Sequence, residues 1–219
     1  MLKTRRNPYE KGQELAPQQV LLGGALCLDF VNTVEPRAGS PRRDYLGCYT
    51  DLISWSVHAG ALSAPRAELL LKKACEYPEE ADRMFERAIE LREAAYRMFS
   101  ALVSNESVVP SDLETINALM GRLRIAQSVQ GFAWHWAATI DDLAWPLWPV
   151  VHSVGEVLTT EKLQRVKACP HTDGCGWLFL DTSKNRSRRY CSMKGCGNRA
   201  RASRYYRRTR IQQMSLADG

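Results

Sequence analysis

The sequence predicts a mainly α protein with a small β-hairpin, built as a helical N-terminal domain followed by a small C-terminal β-hairpin/helix module. Three observations predict it. Between Glu79 and Ser104, Ala81, Met84, Phe85, Ala88, Leu91, Ala95, Phe99 and Leu102 recur at mostly three- and four-residue steps, which makes one buried helical stripe. Phe132, Trp134 and Trp136 alternate with smaller or polar residues, which is the period of a strand. Four of the seven cysteines lie after Thr160, together with the excess of positive charge.

The elements follow in order. Residues 1–20 are polar and read as a mobile N-terminus; "MLKTRRNPYEKGQELAP" has no apolar core or cleavage site, so no secretory signal is expected. In "GGALCLDFVNTVEP", Leu26, Phe30 and Val34 fall at four-residue steps while Leu26, Leu28 and Phe30 also alternate, and helix is the favoured reading. Residues 37–43 form a loop rich in Pro, Gly and Arg. "TDLISWSVHAG" is a short helix between Thr50 as cap and Gly60 as stop. "SAPRAELLLKKACEY" opens another, with Ser63 as cap and Pro65 in its first turn. "SDLE" at Ser111–Glu114 has the form of a capping box, opening a helix that runs to about Leu123. A hairpin follows, turning at Gln130-Gly131. Residues 141–159 return to helical spacing, with Pro146 and Pro149 expected to kink or break the first part. The divisions are then 1–20, a helical domain over 21–160, a cysteine-rich module over 161–212 and a tail over 213–219. The helical part has enough amphipathic segments for its own core, whereas the module is short of large aliphatic residues and needs a staple.

Charge divides the chain in the same place. The net charge is +6, but from Thr160 onward 14 Lys/Arg face 4 Asp/Glu, so this end carries +10 and residues 1–159 carry −4. A basic end on a mildly acidic body is the footprint of a nucleic-acid-binding module. No run of about 18 apolar residues argues for a membrane span. An odd number of cysteines without an export signal implies reduced thiols in a cytoplasm.

Cys169, Cys175, Cys191 and Cys196 are spaced C-x5-C-x15-C-x4-C. Two close pairs separated in this way form the pattern of a structural zinc site, one ion per chain, in which two knuckles bring four thiolates to a tetrahedron. Turn residues lie within each pair: Pro170, Thr172, Asp173 and Gly174, then Gly195. Between the pairs, Trp177, Phe179 and Tyr190 flank a polar "SKNRS" turn, which reads as a hairpin. His171 is a rival ligand to Cys169, and buried free thiols or two disulfides remain as other readings of the same residues. A closed four-thiolate shell has no open position for water and argues against catalysis by the metal.

After Cys196, "GNRARASRYYRRTRIQQM" has no proline and continues as a helix, with Asn198 as cap and Arg201, Arg204, Tyr205 and Arg208 on one face. Arg199, Arg207 and Arg210 widen that face. Lys184, Arg186, Arg188 and Arg189 add charge from the preceding turn. Such arginines suit duplex DNA phosphates, and Arg199 or Arg201, nearest the knuckle, are expected to read bases. The alternative is a solvated tail.

The stretch "CGWLFLDTSKNRSRRYCSMKGCGNRARASRYYRR" closely resembles the CGNR zinc finger, whose tetrapeptide stands at Cys196–Arg199. The resemblance implies that Cys169, Cys175, Cys191 and Cys196 hold zinc and that the finger binds DNA. "LCLDFVNTV", "DLISW", "LREAAYRMF" and "LWPVVHSVGEVL" resemble recurring segments of the ABATE domain, so the likeness covers nearly the whole chain. It implies a stress-induced bacterial transcriptional regulator.

Three functions compete. The first is a transcription factor whose helical body senses an effector or forms a homodimer. The second is an RNA- or ribosome-associated zinc protein, for which Tyr190, Tyr205 and Tyr206 are the available stacking residues. The third is an enzyme; His58, His135 and His152 lie in the body without a nucleophile–base or metal motif around them, so no catalysis is expected. Asn32, Thr33, Trp134 and Trp136 are candidate effector-binding residues, the competing reading being that Trp134, Trp136, Trp145 and Trp148 are plain core.

Overall fold

Helix α1, Leu26–Val31, is apolar on nearly every side, and Cys27, Leu28, Phe30 and Val31 have no exposed surface. A helix of that composition is stable only where other elements cover it all round. The structure, a computed structural model, describes residues 19–37, 43–128, 131–137, 139, 141–170 and 175–217 and shows how that cover is made.

Two short strands follow α1, β1 (Val34–Glu35) and β2 (Arg43–Asp44), paired antiparallel. Then come α2 (Tyr49–His58), α3 (Ala64–Glu76), α4 (Pro78–Val103) and α5 (Pro110–Met120). An antiparallel hairpin of β3 (Leu123–Ser128) and β4 (Gly131–Trp136) runs in register from Leu123 opposite Trp136 to Ser128 opposite Gly131. Helix α6 (Leu147–Thr159) and a 3-10 turn (Glu161–Arg165) lead into β5 (Val166–Ala168), which pairs antiparallel with β6 (Leu178–Leu180). A wide turn at Met193–Gly197 passes directly into α7 (Asn198–Ala217). No described helix is long and apolar enough to cross a membrane.

Helices α4 and α6 and strand β6 pack on α1, and Trp55 of α2 sets its ring 5.2 Å from Phe30. The expected stripe of α4 supplies Ala81, Ala88, Leu91, Ala95 and Phe99 to the core, with Met84, Phe85 and Leu102 partly buried against it. Each large side chain so buried contributes about 1.5–3 kcal/mol. Two of the interior polar groups are matched across remote segments: Tyr49 Oη donates to the Leu143 carbonyl at 2.8 Å, and the Cys27 amide donates to Ser153 Oγ at 3.1 Å.

Several expected boundaries move for local reasons. Gln19 is buried, donating to the Asp29 carbonyl and accepting from Trp55 Nε1, so the body already includes Gln19. Residues 1–18 of the expected mobile segment lie outside the described residues. Helix α2 begins at Tyr49 with Thr50 inside it, because the Asp51 carboxylate covers the Gly47 amide ahead of the helix. The capping box does not form: α5 starts at Pro110 with Val109 before it, so Ser111 already lies inside the helix and is not its cap. Pro146 and Pro149 do not break α6, since both fall at its start, where backbone N–H groups have no helical partner anyway.

The core also continues past Thr160. Val166, Leu178 and Leu180 belong to it. Strand β6 pairs with β5 rather than with the Tyr190 side of the expected "SKNRS" hairpin, because "WLFL" is apolar on both faces and the residues after Asp181 are polar. Leu180 donates to the Gly23 carbonyl at 2.7 Å. Gly24, at φ +75°, makes that approach possible; a Cβ there would stand 3.3 Å from Leu180 Cβ.

At the C-terminal end of α1 two buried arginines, Arg37 and Arg92, gather a charge cluster whose carboxylates are partly exposed. Arg37 donates to both Glu93 oxygens, and Arg92 donates to Glu93, to both Asp44 oxygens and to Thr33 Oγ1. Burial pushes the Glu93 carboxyl up, but Arg37 and then Arg92 outweigh it and hold it below the usual range. Its stabilisation is therefore full above the unfolded value, about 4.3, and is lost as pH falls through the lower folded one. Glu93→Gln is expected to cost about 1–2 kcal/mol at pH 7, allowing for screening at a carboxylate one-third exposed. The gap to wild type, read by thermal melts, narrows as pH drops below about 4; a gap independent of pH would contradict the assignment.

Candidate metal centre and nucleic-acid interface

Strand β6 has two working faces. Leu178 and Leu180 enter the body core, while Trp177 and Phe179 form a second small cluster with Cys169, Cys191 and Cys196. The alternation is the ordinary period of a strand, and it fastens the cysteine cluster to the body. Asn32 completes the fastening: its Nδ2 donates to the Leu178 carbonyl at 2.7 Å and its Oδ1 accepts from the Leu178 amide at 2.9 Å. Trp177 Nε1 donates to the Val34 carbonyl, and the Arg37 amide donates to the Cys175 carbonyl, both at 2.9 Å.

The first knuckle is closed by the Cys169 amide donating to the Trp177 carbonyl at 2.8 Å. His171 and the turn residues Thr172, Asp173 and Gly174 lie outside the described residues. In the second knuckle Ser192 Oγ accepts from the Gly195 amide, and the Ser192 carbonyl accepts from Gly197. The two knuckles bring the four sulfurs of Cys169, Cys175, Cys191 and Cys196 within 4.8 Å of one another. Cys175 and Cys191 sulfurs are 3.7 Å apart, and those of Cys191 and Cys196 are 3.6 Å apart. All seven cysteines are free thiols, and these separations are far beyond a disulfide bond. A tetrahedron with Zn–S bonds of about 2.3 Å has edges of about 3.8 Å, so the residues fit that ion. The hydrogen bond with Cys169, with burial behind it, pushes the Cys175 thiol up to about 12; a bound cation reverses this by stabilising thiolate. By contrast Cys27 is a core thiol, pushed up to about 12 chiefly by burial.

Between the knuckles, buried Asp181 organises the basic loop. It accepts from Lys167 Nζ at 2.6 Å, from the Ser183 amide and hydroxyl, and from the Arg188 amide. Burial opposes its charge, yet these donors hold its carboxyl well below the usual range. Lys184, Arg186 and Arg189 are left pointing into solvent. Arg188 differs from the other expected DNA-contact residues of the loop. Its guanidinium donates to the carbonyls of Leu22, Leu180, Tyr190 and Cys191 and stacks 4.4 Å over the Phe179 ring. It ties the loop down and does not face outward.

Helix α7 leaves the second knuckle without a linker. Asn198 is its first residue rather than a side-chain cap, and its Nδ2 donates back to the Lys194 carbonyl. Arg199 donates to Cys196 Sγ at 3.3 Å, which ties the helix to the metal site. Arg201, Arg204, Tyr205, Tyr206 and Arg207 are exposed; the side chains of Arg208 and Arg210 lie outside the described residues.

The candidate effector residues are not one group. Asn32 and Thr33 have no exposed surface and spend their polar atoms internally, Asn32 on Leu178 and Thr33 on Phe30 and Arg92. These bonds give both residues structural roles. Trp134 is 49% exposed, with its ring against His152, while Trp145 and Trp148 pack on the core. The Trp136 side chain lies outside the described residues. Sequence reasoning missed Asp181, Lys167, Arg37 and Arg92. "LDTS" does carry a signal for the first, an Asp two residues before a Ser amide, and Arg92 falls on the apolar stripe of α4.

These parts agree with two family models. The ABATE model, described as "Putative stress-induced transcription regulator", matches residues 24–161, and the CGNR zinc finger model matches residues 165–209. No curated protein matches the chain. With more than half its length under the first model and a four-cysteine cluster under the second, the chain belongs to the ABATE family and carries a CGNR zinc finger.

Proposed function

We propose that the chain is a DNA-binding transcriptional regulator of the cytoplasm, with one structural zinc ion per chain on Cys169, Cys175, Cys191 and Cys196. The observation that carries this reading is the exposed arginine helix rising directly from the four-sulfur knuckle. Bound zinc supplies folding energy and a rigid base for that helix, and a closed thiolate shell gives it no hydrolytic role. Residues 161–212 act as the DNA-binding unit and 213–219 as a tail. Residues 21–160 act as the sensing or dimerising unit, taking a small-molecule effector or a second copy.

The contact set is Lys184, Arg186 and Arg189 on the loop and Arg199, Arg201, Arg204, Tyr205 and Arg208 on α7. If about five phosphates are neutralised, affinity for duplex DNA falls on the order of 10²–10³ between 50 and 200 mM salt. Replacing Arg201, Arg204 and Arg208 together by Ala is expected to remove most binding while zinc stays bound. A triple variant that binds duplex DNA as tightly as wild type, with the same salt slope, overturns the proposal.

The second reading, an RNA- or ribosome-associated protein, has one observation in its favour. Tyr205 and Tyr206 are 68% and 70% exposed, with ring centroids 5.8 Å apart, and unstacked bases pack on such rings. Single-stranded RNA outcompeting duplex DNA, with the advantage lost in Tyr205→Ala, would favour it.

A further inference from the structure

Arginines do not occupy a narrow stripe of α7. Successive residues of a helix are turned by about 100°. With Arg199 at zero, Arg207 lies at about 80°, Arg204 at about 140° and Arg201 at about 200°. The remaining sector holds no charge: Arg201 is followed around the helix by Tyr205 at about 240°, Thr209 at about 280°, Ala202 at about 300° and Tyr206 at about 340°. The helix is thus an arginine half-cylinder with an uncharged back. From Arg201 to Arg207 every residue is exposed, so among the described residues no part of the body covers either half there.

An arc of about 200° is too wide for one phosphate strand. A helix lying along a single strand uses a stripe of its surface, and arginines on opposite edges of this arc point in opposite directions. They can be used together only where negative charge stands on both sides. The major groove of B-DNA offers that arrangement: it is about 12 Å wide, it admits a helix about 10–12 Å across, and it is walled by two phosphate strands. The minor groove, about 6 Å wide, does not admit one.

We infer that α7 lies in the major groove of duplex DNA with Arg204 and Arg207 reading base edges and Arg201 gripping a phosphate wall. This rests on the DNA-binding reading above and adds which residues carry specificity. Arg204 and Arg207 stand nearest the middle of the arc and point at the groove floor. They are about 4.5 Å apart along the axis, close to one base-pair step of about 3.4 Å. Arginine pairs bidentately with guanine O6 and N7, so the preferred ligand is a duplex with guanines at neighbouring positions. Arg199 stands at the other edge and is fastened to Cys196 Sγ, which fixes the rotation of the arc relative to the metal site. Lys184, Arg186 and Arg189 extend the phosphate grip from the loop held by Asp181. Base reading therefore moves from Arg199 and Arg201, the expectation from proximity to the knuckle, to one turn further along.

The test is selection from a randomised duplex library on full-length, zinc-loaded protein, followed by titration of the winning site and of an unrelated duplex. Arg204→Ala and Arg207→Ala are each expected to weaken the selected site by about 10- to 100-fold, and the unrelated duplex by far less. Arg201→Ala should weaken both duplexes alike and make the salt slope shallower by about 1. Methylating guanine N7 in the selected site should block the wild-type complex. Zinc content and the helical circular dichroism signal should match wild type in all variants, since these side chains are exposed. The inference is overturned if the Arg204→Ala, Arg207→Ala double variant selects the wild-type motif, or if N7 methylation is without effect. Failure of the underlying reading looks different: wild type then retains no duplex at all.

Discussion

Cys191→Ser is expected to leave the chain without zinc and to unfold the finger. Cys191 sits at the centre of the sulfur cluster, 3.7 Å from Cys175 and 3.6 Å from Cys196, and its carbonyl also anchors Arg188. Three thiolates and a serine hydroxyl make a far weaker site, and structural zinc supplies on the order of 10–16 kcal/mol in finger peptides. The small cluster around Trp177 and Phe179 cannot replace that. Metal analysis should fall from one zinc per chain to near none, and duplex binding should disappear with it. The helical body should still melt cooperatively but at a lower temperature, because Val166, Leu178 and Leu180 belong to its core. Cys48→Ser and Cys75→Ser should keep full zinc, since neither residue is part of the sulfur cluster. Full zinc in the Cys191→Ser protein would sink the assignment.

Asn32→Ala is expected to weaken both the body and the finger, though it lies far from the four clustered cysteines in sequence. The Asn32 amide is the sole hydrogen-bond partner described for both the N–H and the C=O of Leu178, and it has no exposed surface. Removing it leaves two backbone groups buried and unpaired, at about 1–3 kcal/mol each. For a chain of this size that is a drop in melting temperature on the order of 10 °C. Trp177 and Phe179 flank the same residue, so the knuckle loosens and zinc should be lost to a competing chelator faster than from wild type. A melting temperature within about 2 °C of wild type, with unchanged zinc loss, would show that Asn32 does not join the two parts.

What could be read beforehand depended on distance along the chain. The stripe of α4, the Pro65 start of α3, the alternation through Trp134 and the two cysteine pairs are local patterns, and each reappears in the structure. The features that the sequence hides are mostly contacts between remote segments. Asn32 looked like a polar residue awaiting a ligand because its partner, Leu178, is 146 residues away. Arg188 looked like one more surface cation because the four carbonyls it satisfies include Leu22. "SDLE" has the letters of a capping box, but Pro110 opens the helix one residue earlier and puts Ser111 inside it. Trp177 and Tyr190 suggested a hairpin because β5, the true partner of β6, is only three residues long.

The two-faced strand also sets an order in time. During synthesis the face of α1 that meets Leu178 and Leu180 stays uncovered until 147 further residues, from Val31 to Leu178, have been made. Domains of multidomain chains ordinarily fold one by one as they leave the ribosome. Here the first unit waits for the second, so a nascent chain stalled before Leu178 carries an apolar helix open to chaperones and to proteases. The same wait makes finished chains self-auditing, because the body is closed by the segment that carries the last two cysteines' knuckle and the arginine helix behind it.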